Sequence, residues 1–318
     1  MAEDDRAGNR LGRAPIRPIL VPLAQGAMRA GVEQGAEVLE TALRARLQAH
    51  QRPELLARLR PTETVACSPL AGDAGQTAPG GALHVDEIAT AGARAARRVR
   101  DAIGAGELAL TLGGDHALSV GTVAGASAAA RRLAVLWVDA HADLNAPATS
   151  PSGHVHGMPL AVALGRGSER LTGLCGRAPK VRPEDTYLLG VRDLDPAERV
   201  WLHEGRLHCA TMADIDDAGL EATLRSMLDE MRRSGVDAVH VSFDVDALDP
   251  LLLPGTGTRA WGGLTFREAA RLLRLLRGTD LPIRSLDWVE LNPSLDPTGA
   301  STEVAAALLA VAVGEDLL

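Results

Sequence analysis

Three side chains that bind divalent metals alternate with alanines in Asp139-Ala140-His141-Ala142-Asp143, directly after the apolar run Leu133-Ala134-Val135-Leu136-Trp137-Val138. In an extended backbone alternate residues share a face, so the spacing predicts that Asp139, His141 and Asp143 meet at one point beyond a strand. Carboxylates with one or two imidazoles suit a hard or borderline ion such as Mn²⁺, whereas structural zinc favours thiolates. The arrangement recurs where Ala238-Val239-His240-Val241 leads into Ser242-Phe243-Asp244-Val245-Asp246, with Asp244 and Asp246 on one face and Pro250 closing the turn. A third apolar run, 108–112, breaks at Gly113-Gly114 and presents Asp115-His116. A charged turn after a buried strand would account for any one cluster alone. Three together crowd acids that repel one another and lose hydration, and two divalent cations would remove that cost. His116, Asp139, His141, Asp143, Asp244 and Asp246 are the candidate ligands.

Such ligands need strands to carry them. Strand signals fall near 17–22, 63–67, 108–112, 133–138, 186–191, 207–210, 237–243 and 283–289. Helical stretches lie between them, among them 85–103, 219–234, 265–277 and 302–314. In 85–103, Val85, Ile88, Ala95, Val99 and Ile103 form one stripe with arginines opposite, and Thr265-Phe266-Arg267-Glu268 offers a capping box. This alternation predicts an α/β fold, a mostly parallel sheet with helices on both faces. Ligands of such sheets bind beyond the carboxyl ends of the strands, where every cluster named above lies.

The chain has 318 residues and can bury a large core; no Pro/Gly/Ser-rich linker divides it. We expect one domain over 16–318, with 1–15 a disordered arm. A net charge of −8 disfavours a nucleic-acid surface. The run Arg94, Arg97, Arg98 and Arg100 reads as a solvated helix face. Cys67, Cys175 and Cys209 are too few and too scattered for a disulfide framework, which fits a reducing cytoplasm. The acidic start carries no signal-peptide pattern, and no apolar run is long enough for a membrane span.

Gly113-Gly114-Asp115-His116, Asp139 to Asp143 and Ser242 to Asp246 together resemble the signature motifs of the ureohydrolases, the arginase and agmatinase family. The resemblance runs from about residue 19 to the C-terminus and takes in Arg29-Ala30-Gly31-Val32-Glu33, Gly190 to Pro196, Gly255-Thr256-Gly257-Thr258 and Val289-Glu290-Leu291-Asn292-Pro293. It implies a three-layer αβα sandwich with an eight-stranded parallel sheet and two Mn²⁺ per subunit. His116, Asp139, Asp143 and Asp244 would hold one ion; Asp139, His141, Asp244 and Asp246 would hold the other, with Asp139 and Asp244 bridging. Asp115 reads better as a turn residue. Hydroxide activated between the ions would attack the guanidinium carbon, with Glu290 orienting the guanidinium and His156 shuttling a proton to the leaving amine.

Asn145, Ser152 and the Ser-Gly-x-x-His-Gly run resemble arginase, whose matching residues bind the substrate's α-carboxylate. Asp195 would receive the α-ammonium, with Glu198 beside it, and Thr258 joins the substrate-binding set. Arginases generally carry Asn where this chain has His154, which leaves open N-hydroxyarginine, a guanidino acid or agmatine as substrate. The resemblance also implies a homotrimer or homohexamer. Competing readings are a two-metal phosphoester hydrolase, which would need a phosphate cradle not found near the site, a single-zinc deacetylase relative, and a catalytically inactive homologue.

Overall fold

β3 (Leu108–Gly113), β4 (Leu133–Val138), β5 (Thr186–Val191), β7 (Ala238–Asp244) and β8 (Ile283–Val289) are buried at every position. Strands this apolar on both faces need cover on both sides. In the computed structural model, which describes residues 8–70, 78, 80–204 and 207–316, they form the centre of an eight-stranded parallel sheet. β1 (Ile16–Val21), β2 (Glu63–Thr64) and β6 (His208–Thr211) complete it in the order β2-β1-β3-β8-β7-β4-β5-β6. β2 is shorter than the predicted 63–67.

Alternation along β4 divides the core. Ala134, Leu136 and Val138 face helices Gly35–Ala49, Leu220–Ser234, Phe266–Gly278 and Ala300–Val313, whereas Leu133, Val135 and Trp137 face Val85–Gly104 and Ser119–Ala128. The result is a three-layer αβα sandwich. Helix Ser119–Ala128 contains little that favours a helix, and packing holds it. A Cβ on Gly121 would lie 2.4 Å from the Gly92 carbonyl oxygen, and one on Gly125 would lie 2.4 Å from that of Ala96, so glycine permits the two helices to touch along their backbones. This close seat fixes the helix that begins three residues after His116.

One expectation needs correction. Residues 8–15 are not a disordered arm (residues 1–7 lie outside the described residues). Leu11 is fully buried, and Asn9 Nδ2 donates to the carbonyls of Leu276 at 2.8 Å and Thr279 at 2.9 Å. Arg10 Nη1 donates to the carbonyls of Ile103 and Glu107, both at 2.9 Å. A polar stretch with one leucine gives no core signal in sequence; its side chains are ordered by carbonyls at the ends of other elements. The buried residues of the apolar helix Ala300–Val313 pack against Gly35–Ala49 and Phe266–Gly278.

Candidate metal centre and cleft

His116, Asp139, Asp244 and Glu290 are delivered by β3, β4, β7 and β8, which lie side by side in the sheet. His116 opens a 3₁₀ turn capped by Asp115, whose Oδ1 accepts from Ala117 N–H at 2.8 Å and whose Oδ2 accepts from Gly26 N–H at 2.9 Å. Asp115 is thus a turn-former, not part of the ligand cluster. His116 Nδ1 lies 3.2 Å from Asp139 Oδ2, 3.1 Å from Asp143 Oδ2 and 3.0 Å from Asp244 Oδ2. One ring nitrogen cannot serve three carboxylates, and His116 Nδ1 and Asp143 Oδ2 are both buried without a hydrogen bond. His141 Nδ1 lies 3.4 Å from Asp139 Oδ1 and 3.1 Å from Asp246 Oδ2.

Two ligand groups therefore overlap at Asp139: His116–Asp139–Asp244, with Asp143 alongside, and Asp139–His141–Asp246. Asp139 presents one oxygen to each group. Asp244 Oδ2 faces His116, while its Oδ1 accepts from Asp246 N–H at 2.8 Å.

Strand alternation accounts for only part of the convergence. β4 ends at Val138 and β7 at Asp244, so Asp143 and Asp246 lie past regular strand. Asp143 reaches the cluster through a left-handed backbone, φ 53°, and Asp246 through a 3₁₀ turn. Glu290, φ 67°, is bent in the same way. Such geometry in non-glycine residues is costly and gathers at functional sites.

Residues not flagged in the sequence hold the ligands. Ser242 Oγ lies 2.8 Å from His116 Nε2, which leaves Nδ1 for the cluster. Trp137 Nε1 donates to Asp139 Oδ2 at 3.0 Å, and its ring stacks on His116 with centroids 4.3 Å apart. The available signal was spacing: each stands two residues before a ligand, on the same strand face.

The electrostatics are those of a crowded acid set. Burial and the charge of Asp139 push Asp143 up to about 6, and burial, Asp246 and Asp139 push Asp244 well above the carboxylate range. Burial works against Asp139 too, but His116 and His141 hold it well below that range. These acids cannot all ionise on protein counter-charge alone, whereas two divalent cations would let them. Hard oxygen donors with two imidazoles and two orphaned buried atoms fit such ions.

Above the cluster lies a cleft of about 250 Å³. His141, Asp143, Asn145, Ser152, His154, His156, Asp195, Glu198 and Thr258 all line it. Asn145 Nδ2 donates to Asp195 Oδ2 at 2.8 Å. Glu198 accepts from Leu144 N–H and Asp195 N–H, both at 2.9 Å, and so ties the two wall loops together; burial raises it to about 7. Thr258 Oγ1 donates to Asp246 Oδ2 at 2.9 Å, which makes it a support of a ligand-type acid as well as a wall residue. His154 is buried, its ring 6.0 Å from that of His156, and its N–H donates to Ser152 Oγ at 3.3 Å.

Glu290 does not line this cleft. It lines a small adjoining pocket that shares Met28, His156 and Thr258 with it. Its Oε1 accepts from His116 N–H at 2.8 Å and lies 3.6 Å from His156 Nδ1. Burial alone would lower His156, but the Glu290 carboxylate raises it above the ordinary imidazole value.

The whole arrangement has close relatives. The Arginase family model matches residues 16–314. An arginase of Staphylococcus aureus (strain COL) is 41% identical over 238 residues, 75% of this chain and 78% of that protein. An arginase of Brevibacillus brevis is 41% identical over 235 residues, 74% of this chain and 78% of that protein. Among solved structures, the native arginase of Bacillus caldovelox superposes with a TM-score of 0.85 at 34% identity, covering 96% of this chain and all of that one (100%). With its parallel sheet, its overlapping acid–imidazole clusters and these matches, the chain belongs to the arginase family of ureohydrolases.

Proposed function

We propose that this protein hydrolyses the guanidino group of L-arginine to urea and L-ornithine with two Mn²⁺ bound in each subunit. The observation that carries the reading is the overlap of two ligand groups at Asp139 beneath a cleft whose wall holds an Asn145–Asp195 pair. His116, Asp139, Asp143 and Asp244 would hold one ion and Asp139, His141, Asp246 and Asp244 the other; when bound, the ions supply a nucleophilic hydroxide near neutral pH.

The remaining work falls to the chain. A guanidinium is a weak electrophile because its charge is delocalised, so it must be held in line with the nucleophile. Glu290 does this: its Oε1 is committed to His116 N–H, and its Oε2, with no protein hydrogen bond among the described residues, takes the guanidinium. Asp143 accepts the proton released by the nucleophile. His156, whose protonated form Glu290 favours, delivers a proton to the departing amine. Asp195 takes the α-ammonium, with Glu198 fixing its loop, and Asn145, Ser152 and His154 take the α-carboxylate. An imidazole where arginases generally carry Asn favours a second reading, in which a modified or longer guanidino acid is the better substrate.

The test is urea release with Mn²⁺ from arginine, agmatine, N-hydroxyarginine and other guanidino acids. Arginine should give the highest kcat/KM. A preference for agmatine would overturn the assignment of the cleft wall to an amino acid. We further infer a cytoplasmic homotrimer or homohexamer. Exposed Leu251 and Trp261, 83% and 72% accessible, give apolar surface for assembly, and no helix among the described residues is long and apolar enough to cross a membrane. A monomeric mass in light scattering at micromolar concentration would remove the assembly.

A further inference from the structure

A second cleft, of about 740 Å³, opens at the other end of the sheet, where the strands begin. Arg10 enters it ahead of β1, Arg131 ahead of β4, Asp237 ahead of β7, and Arg284 as the second residue of β8. Asp237 is already engaged: its carboxylate accepts from Arg131 Nε at 3.0 Å and from Arg132 N–H at 2.9 Å. Arg10 and Arg284 are different. They are 8% and 6% accessible, and among the described residues neither lies within ion-pair distance of a carboxylate.

Their bonds leave one edge of each guanidinium unused. Arg10 spends only Nη1, on the Ile103 and Glu107 carbonyls, and Arg284 spends only Nη1, on the Gly8 carbonyl at 2.8 Å. The Nε/Nη2 edge, the side that grips two oxygens at once, makes no hydrogen bond in either residue among those described. Burial and the charge of Arg284 push Arg10 down to about 10, and the only opposing charge acting on Arg284 among the described residues is Asp237, already engaged by Arg131.

We propose that this cleft binds a small phosphate monoester, whose phosphoryl dianion bridges the free edges of Arg10 and Arg284. A carboxylate has two oxygens and satisfies one fork. A phosphoryl group has three terminal oxygens and serves two. The cleft is also larger than an inorganic phosphate needs, so an organic portion fits beside the arginines. The site lies a strand's length, roughly 20 Å, from the metal-type acids and is separate from the guanidino cleft.

Titration calorimetry of the Mn²⁺-loaded protein with glycerol 3-phosphate, in chloride-free buffer of low ionic strength, tests this, with inorganic phosphate and malonate as comparison probes. Saturable binding of glycerol 3-phosphate is expected, at least tenfold tighter than malonate, and tighter than inorganic phosphate if the organic portion has a seat. Arg284→Lys keeps the charge but removes the fork and should weaken binding tenfold or more while urea release stays within twofold. Arg10→Gln should do the same, and circular dichroism confirms that each variant is folded. Absence of saturable heat, or binding that both variants leave intact, overturns the proposal. So does binding that appears only after Glu3, Asp4 and Asp5 are replaced by amides, because the arginines would then belong to the chain's own acids.

Discussion

At the carboxyl ends of β3, β4 and β7 the sheet gathers Asp139, Asp143, Asp244 and Asp246 with no Lys or Arg among the residues lining the cleft, whereas where β1, β4 and β8 begin it gathers Arg10, Arg131 and Arg284 around one Asp237. One scaffold makes both ends. A parallel sheet buried on both faces concentrates its accessible polar side chains at its rims, and every strand points the same way, so the rims collect ligands from residues far apart in sequence. Backbone polarity separates the charges further. Arg10 sits on carbonyls at the end of helix Val85–Gly104, where the helix dipole favours a cation. The difference is in how the charge is held. The acid rim is over-charged and bound to imidazoles and neighbouring acids, which suits a mobile cationic cofactor, while Arg10 and Arg284 of the basic rim are fastened to backbone carbonyls.

The comparison breaks most sharply at Asp139. Asp139→Asn should strip both ions and lower kcat/KM by more than ~100-fold, since removing mere supports of metal ligands already costs about 10–100-fold. His116→Ala should spare the ion held by Asp139, His141 and Asp246, and so retain about half the metal. Metal content per subunit after dialysis, read beside urea release, checks this. Equal metal loss in the two variants would show that Asp139 has no special place between the groups.

A buried acid in the middle of the sheet, between the two rims, should behave in the opposite manner. Asp287 on β8 accepts from Ser119 Oγ at 2.9 Å and from Thr122 Oγ1, and its Oδ2 lies 3.2 Å from His240 Nε2. It is paired, fully buried and structural, and it anchors the helix that follows His116. Asp287→Asn should cost about 3 kcal/mol of folding stability with or without Mn²⁺, the scale of breaking a buried pair. Denaturant unfolding in chelator would measure it. A loss that vanishes when metal is removed would place Asp287 in the metal site instead.

These residues also mark what the sequence made legible. The six ligand-type residues could be read because each follows an apolar run that must end at the sheet's rim. The reason given for their convergence was only partly right. Alternation carries Trp137 toward Asp139 and Ser242 toward Asp244, but Asp143 and Asp246 arrive through turns, and a left-handed aspartate leaves no periodic signal. Glu198 was read as a neighbour of the ammonium site; its hydrogen bond from Leu144, 54 residues away, needed tertiary structure to be seen. Asn9 and Arg10 were misread because their partners are carbonyls on distant elements, which carry no residue type, and Leu11 because a lone leucine has no period.

A smaller effect separates ordinary capping from site chemistry. Asp296, ahead of helix Ala300–Val313, accepts from Ser301 N–H at 2.7 Å, Ser301 Oγ at 2.6 Å and Thr298 N–H at 3.1 Å, and the Ser301 and Thr298 bonds hold it at about 2. Its folded-state value lies below its unfolded one, so its contribution is present above pH ~4 and is lost as pH falls toward about 2. Asp296→Asn should cost about 1–2 kcal/mol at neutral pH, and the gap from the parent protein should close on acidification. A gap constant from pH 7 to pH 2.5 would deny the carboxylate this role.

The smallest expected effect tests the outer wall of the acid rim. His154 sits between Ser152 and His156 in the cleft and packs its ring edge-on toward His156. Replacement by Asn should leave metal content unchanged. If the imidazole grips the substrate's α-carboxylate, the variant should shift the ratio of kcat/KM for arginine against longer or N-modified guanidino acids about tenfold, the scale of one hydrogen bond to a charged group. The direction carries the information. A shift toward arginine means that the imidazole adapts the wall to a modified guanidino acid, and a shift away means that it recognises arginine itself. An unchanged ranking with an unchanged pH profile would leave substrate choice to Asn145 and Asp195, and the His154 ring would be packing alone.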